Sequence, residues 1–156
     1  MKEYLIETFL FNDSMNKNML KKMDELTDKT GCVKYFSHLV NSQIKWMARI
    51  VQDPKAPEMS WWDPVYPFET LEERWSKSLQ TWLSYLQVKT EEEIFEKVEF
   101  TGFDGGRWSA RLIDIALQLN YHSIHHRAQM QMLIRQQGVE PDFIDYIGTK
   151  YEKNGA

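Results

Sequence analysis

The segment Leu119-Asn120-Tyr121-His122-Ser123-Ile124-His125-His126-Arg127-Ala128-Gln129 holds three of the chain's four histidines. Its periodicity is helical, and in a helix His122 and His126, four positions apart, lie on one face about one turn from each other. The same face carries Leu112, Ile115, Ala116, Leu119, Met130 and Leu133 at steps of three and four, so both imidazoles point toward the core. Two readings compete. Each ring hydrogen-bonds a buried polar group, as a single inward histidine ordinarily does. Alternatively, both rings grip one metal ion, which gives each a partner and removes the cost of burying it unpaired. His125 sits well off this line and reads as a residue around the site or on the surface.

Two nitrogens make an incomplete grip, because a zinc-like ion in a catalytic site ordinarily takes three protein ligands and keeps a position for water or substrate. The remaining histidine, His38, lies in Lys34-Tyr35-Phe36-Ser37-His38-Leu39-Val40-Asn41-Ser42-Gln43-Ile44-Lys45-Trp46 on a second predicted helix and is the expected third ligand. Leu39, Ser42, Trp46 and Ile50 stand one, four, eight and twelve positions after it, so His38 borders a core-facing stripe, with Ser42 one turn along to hydrogen-bond near the site. H-E-x-x-H, C-x-x-C and the Glu-x-x-His of di-iron bundles are all missing from the sequence, which leaves a mononuclear three-histidine site. One divalent cation is expected there. Zinc comes first, and Ni²⁺, Cu²⁺ or Fe²⁺ would also be accepted by three imidazoles. No catalytic side chain is singled out.

The elements that must bring these residues together follow from hydrophobic period and helix-stop signals. Leu5, Ile6, Phe9, Leu10, Met15, Met19, Leu20 and Met23 predict a first helix over about 2–26. Its polar middle offers Asn12 and Asn16, which either lie on a solvated face or turn inward to meet the ion or its substrate. Thr27-Asp28-Lys29-Thr30-Gly31 reads as a stop and loop, with Gly31 free to take positive φ. A second helix is predicted over 33–52, a third over 69–86 with Leu71, Trp75, Leu79, Trp82, Leu83 and Leu86 as its core stripe, and a fourth over 109–137, closed by Gly138.

Two connections are long. Residues 53–67 carry four prolines together with Trp61, Trp62 and Tyr66, too aromatic for a solvated linker, so this loop folds back on the bundle. Trp61 and Trp62 either cap its apolar end or wall the metal pocket and bind an apolar part of a substrate. After the third helix, Thr90-Glu91-Glu92-Glu93-Ile94 predicts a short helix over 91–95. The alternation in 97–101 and the Asp104-Gly105 turn then predict a β-hairpin ahead of the last long helix. A short helix over 142–151 ends the pattern. The expected fold is thus all-α, a four-helix bundle in one domain over 1–156 with a small hairpin inserted before the fourth helix.

The histidine segments resemble the DinB/YfiT-like family of metal-dependent bundle proteins, which carry one His early in the second helix and H-x-x-x-H-R-G-Q late in the fourth. His38 followed by Trp46, the run His122-Ser123-Ile124-His125-His126-Arg127-Ala128-Gln129 and the tail Gly138-Val139-Glu140-Pro141-Asp142-Phe143-Ile144-Asp145-Tyr146 carry the likeness across nearly the whole chain. Ala128 departs from the usual Gly; it leaves the helix intact and adds a methyl where a neighbour packs closely. The resemblance implies that His38, His122 and His126 hold the metal, and Ser42, His125 and Arg127 are expected around them. It further implies a homodimer and a reaction that transfers a low-molecular-weight thiol to an electrophilic small molecule. Two alternatives stay open: hydrolysis at the same site, and a non-catalytic ion that only staples helices, which would be fully coordinated and closed to solvent.

A net charge of −4 without a Lys/Arg run argues against nucleic-acid binding. No 18-residue apolar span, no signal-peptide pattern and a lone Cys32 lead to the expectation of a cytoplasmic protein without a membrane span.

Overall fold

A computed structural model describes residues 1–102 and 104–153. Phe103, read above as part of the hairpin, and residues 154–156 lie outside the described residues. Four helices, α1 (Lys2–Asp24), α2 (Thr30–Ile50), α3 (Leu71–Gln87) and α4 (Leu112–Gln136), form an all-α bundle, with an antiparallel hairpin of β1 (Lys97–Thr101) and β2 (Arg107–Arg111) just before α4. The hairpin register pairs Phe100 with Trp108 and Lys97 with Arg111, and its turn uses Gly105 at φ 77°, a conformation open to glycine at little cost.

The apolar stripes meet as their spacing demands. Phe9, Phe36, Trp75, Trp82, Leu86 and Met130 are fully buried, and Phe9 stacks on Trp82 at 5.7 Å between ring centroids. The packing order around the bundle is α1, α4, α2, α3. Two consequences matter for function. α2 and α4, remote in sequence, are neighbours, and α4 also borders α1.

Several boundaries move for physical reasons. α2 begins at Thr30 rather than in the 33 region, so Gly31 is helical instead of a positive-φ stop. A Cβ there would meet Leu133 Cδ1 at 2.8 Å, so this glycine serves the close approach of α2 to α4. α4 begins at Leu112, not Ser109, because β2 runs to Arg111 to complete its ladder. The predicted helix over 91–95 is a 3₁₀ turn at Glu93–Phe95, closed by reciprocal Thr90–Glu93 side-chain-to-backbone bonds of 2.7 and 3.2 Å. The helix expected over 142–151 shrinks to a 3₁₀ turn at Tyr146–Thr149, while Gly138 at φ 79° closes α4 as expected. No helix of the described residues is long and apolar enough to cross a membrane.

Candidate metal centre

The aromatic loop between α2 and α3 is tied along α2 by polar residues one turn apart. Ser37 Oγ accepts the Tyr66 N–H at 3.0 Å, the Tyr66 hydroxyl donates to Asn41 Oδ1 at 2.7 Å, Asn41 Nδ2 donates to the Pro64 carbonyl at 3.1 Å, and Lys45 Nζ donates to the Met59 carbonyl. These bonds hold the loop along the middle of α2, and there the Trp61 carbonyl lies 2.6 Å from His38 Nδ1.

A carbonyl can only accept, so His38 carries its proton on Nδ1 and leaves a lone pair on Nε2. His126 is set the same way, with Nδ1 2.6 Å from Gln129 Oε1, one turn along α4. Both free Nε2 atoms face His122 Nε2, at 2.9 Å from His38 and 3.0 Å from His126. One proton on His122 could serve only one of them, so at least two lone pairs confront each other. A cation between the rings removes that conflict. Separations of about 3 Å are also those expected of nitrogens bound about 2.0–2.1 Å from one ion. The three ligand atoms lie within 4.8 Å of one another, and the hydrogen bonds behind His38 and His126 fix tautomer and ring orientation as partners of metal-bound histidines do. The residues fit a metal ion.

Burial reinforces the donor state. His38 and His126 are each 6% exposed, and all three pKa values fall below the ordinary 6.5. Desolvation is the main cause at each. At His122, where the charges of the other three imidazoles add to it, the value drops to about 3; at His126 it drops to about 4 although the Gln129 bond opposes the shift. All three rings are therefore neutral at pH 7, as ligation requires.

The site opens on one side. A pocket of about 350 Å³ is lined by His38, Ser42, Trp46, Trp61, Leu119 and His122, with Gln118 at its edge. Trp61 walls this pocket, whereas Trp62 lies flat on the outer face of His38, ring centroids 3.8 Å apart and planes 8° apart. The Ser42 hydroxyl is buried without a hydrogen-bond partner among the described residues.

The remaining expected site residues lie elsewhere. Asn12 and Asn16 are buried, not solvated, but they bond to Arg127, Asn120 and Ser123 rather than lining the pocket. Arg127 faces α1, away from the histidines, with Nη1 2.6 Å from Asn12 Oδ1 and 3.0 Å from Asn16 Oδ1. His125 is exposed, its ring 5.0 Å from that of His126. Ala128 is exposed too, so within the chain no neighbour packs on its methyl. Sequence reasoning missed Gln129, although its place three residues after His126 was a usable signal, and Tyr35, whose ring stacks on His126 at 5.3 Å. The Trp61 carbonyl could not have been found, since a backbone group carries no residue signature.

Fold and site together define a four-helix bundle with a partly open, buried three-histidine group able to hold a metal ion. Residues 14–155 match the DinB family model, and the chain belongs to the DinB family. Comparison with curated proteins and with solved structures gives no match.

Proposed function

We propose that this protein is a metal-dependent enzyme that transfers a low-molecular-weight thiol to an electrophilic small molecule, with His38, His122 and His126 as the metal ligands. The observation that carries the reading is the convergence of three Nε2 atoms on the wall of a pocket. A purely structural ion calls for a closed site, whereas His122 is only half-buried and borders open space. Zinc is the proposed ion. When bound, a divalent cation supplies Lewis acidity and lowers the pKa of a thiol or water that ligates it.

The chain's own residues do the rest. Trp46, Trp61 and Leu119 give the pocket an apolar wall, which orients the electrophile and keeps water off the attacking sulfur. The unpartnered Ser42 hydroxyl offers a hydrogen bond to a polar atom of either reactant. The loop that supplies the Trp61 carbonyl to His38 also supplies the Trp61 ring to the pocket, so ligand orientation and substrate binding share one support.

Incubating the metal-loaded protein with electrophiles and several cellular thiols, and following loss of free thiol, tests this reading. Cys32 adds no background, since it is buried and its thiol is pushed up to about 11 by desolvation. Thiol loss that needs both metal and electrophile supports transfer. Hydrolysis of ester or amide probes without thiol consumption replaces it with the hydrolase reading.

A homodimer is proposed as well, on the family likeness and on an exposed stripe of α4 formed by Tyr121, Ile124, Ala128 and Met132. A cytoplasmic setting is proposed with it, in keeping with a reduced, buried Cys32.

A further inference from the structure

α2 carries polar groups beyond the metal pocket. His38, Ser42, Trp46 and Arg49 follow at steps of four, four and three, forming a row about 16 Å long at 1.5 Å per residue. Arg49, at its far end, is 8% exposed. Its guanidinium carbon lies 4.9 Å from the Trp46 ring centroid, 5.0 Å from Trp61 and 5.0 Å from Phe100. Three aromatic faces attract this cation through their ring quadrupoles, but none carries a countercharge or a hydrogen-bond acceptor for its N–H groups.

Among the described residues Arg49 donates no side-chain hydrogen bond and forms no ion pair, and its Nε is buried without a partner. Burial accordingly lowers its pKa from the ordinary arginine value. Lys45, one turn back, is buried as well, its ammonium donating to the Met59 carbonyl and lying 4.7 Å from the Trp61 ring. Arg49 and Lys45 repel each other one turn apart on α2, which adds to burial in lowering the Lys45 pKa, and an anion beside them would relieve that repulsion. A basic residue in the last turn of α2 complements the helix dipole, which accounts for the charge of Arg49 but not for its burial in an aromatic box.

Arg49 also borders a cleft of about 210 Å³, shared with Gln52, Asp53, Pro54, Pro57 and Thr101. The one acidic side chain on that wall, Asp53, accepts the Lys55 N–H at 2.8 Å and makes no ion pair among the described residues. The rings that flank the guanidinium, Trp46 and Trp61, also line the metal pocket, so cleft and pocket adjoin at these two rings.

We infer that this cleft is an anion subsite, in which Arg49 receives a carboxylate or phosphate group of the small molecule whose reactive end reaches the three histidines. The placement of the reactive end rests on the proposed function; the anion site does not. A guanidinium fork suits either group, because both offer two oxygens to parallel N–H donors.

The test is a titration of the full chain with sodium phosphate and with sodium succinate at constant ionic strength, against sodium chloride, read by tryptophan fluorescence and by thermal shift. A saturable response beyond the chloride control is expected, with the stronger anion identifying the group. Arg49→Gln should weaken it about tenfold or more. Asp53→Asn, at an exposed position, should tighten it severalfold and decides the matter if Arg49→Gln fails to fold. His122→Ala separates the two readings: anion binding retained there supports the subsite whatever becomes of the metal assignment. Binding lost in His122→Ala but kept in Arg49→Gln would mean that the anion sits at the metal site, and the inference falls. It falls equally if wild type shows no saturable response, or if neither Arg49→Gln nor Asp53→Asn changes it.

Discussion

The two sides of α4 solve one electrostatic problem in different ways. Asn120, Ser123 and Arg127 face α1, while His122 and His126, offset along the same turns, face α2. On the α1 side one arm of the Arg127 guanidinium collects oxygens: Nη1 donates to Asn12 Oδ1, Asn16 Oδ1 and Ser123 Oγ at 2.6, 3.0 and 3.0 Å, while Nε and Nη2 are buried without a partner among the described residues. Asn12 Nδ2 donates to Asn120 Oδ1 at 2.8 Å, and Asn16 Nδ2 to Ser123 Oγ at 2.9 Å. On the α2 side three nitrogens converge with no cation of the chain among them. One cluster of acceptors thus has its positive charge built in, and the other is shaped to take one from solution. The first is sealed, with Arg127 0% exposed; the second borders a pocket. The contrast fits a first cluster that fixes how α1 and α4 mate and a second that could hold a metal ion beside open space.

The largest expected effect separates them outright. A His122→Ala/His126→Ala double variant should hold no stoichiometric metal by elemental analysis while circular dichroism still reports a helical bundle. One equivalent of metal retained would place the ion elsewhere and collapse the comparison.

Arg127→Ala should do the reverse, lowering stability by about 1–3 kcal/mol in urea unfolding because it strands the buried Asn12 Oδ1. Metal stoichiometry of the folded fraction should be unchanged. A variant as stable as wild type would show the α1-side network to be dispensable.

pH sharpens the contrast further. The folded values of about 3 for His122 and about 4 for His126 lie below the ordinary 6.5 of an unfolded chain. The unfolded state therefore takes up protons first as pH falls. The stability these histidines contribute to the metal-free protein is full above pH 6.5 and drains as the pH drops from there toward about 4 for His126 and about 3 for His122. Metal affinity should also start to fall at a lower pH than the 6 to 6.5 that an exposed histidine would give. Affinity loss with a midpoint at 6 to 6.5 would mean that water reaches the rings freely.

The smallest effect tests the hydrogen bond behind His126. Gln129→Ala, which removes the acceptor 2.6 Å from Nδ1, should weaken metal binding about tenfold without a change in unfolding midpoint. An unchanged affinity would mean that packing against Tyr35 alone orients the ring.

Much of this was legible in the chain because it is local. The i, i+4 pair of His122 and His126 shares a face wherever a helix forms, and the apolar stripes of α1 to α4 set which face turns inward. The prolines and aromatics of 53–67 marked a loop that folds back, and Asp104-Gly105 marked a hairpin turn. Boundaries failed where a neighbour decided them. Gly31 reads as a stop until Leu133 is seen beside it, and the start of α4 waits on the ladder between β1 and β2.

What only the tertiary structure decided are pairings between elements whose spacing carries no trace of one another. The order α1, α4, α2, α3 brings His38 to His122 across 84 residues, turns Asn12 and Asn16 to Arg127 instead of the pocket, and leaves Arg49 among three aromatic rings without an acid. Periodicity says which way a side chain points, since it follows from the backbone of its own helix. What it points at depends on which helices lie side by side, and that is settled by the fit of all four stripes at once.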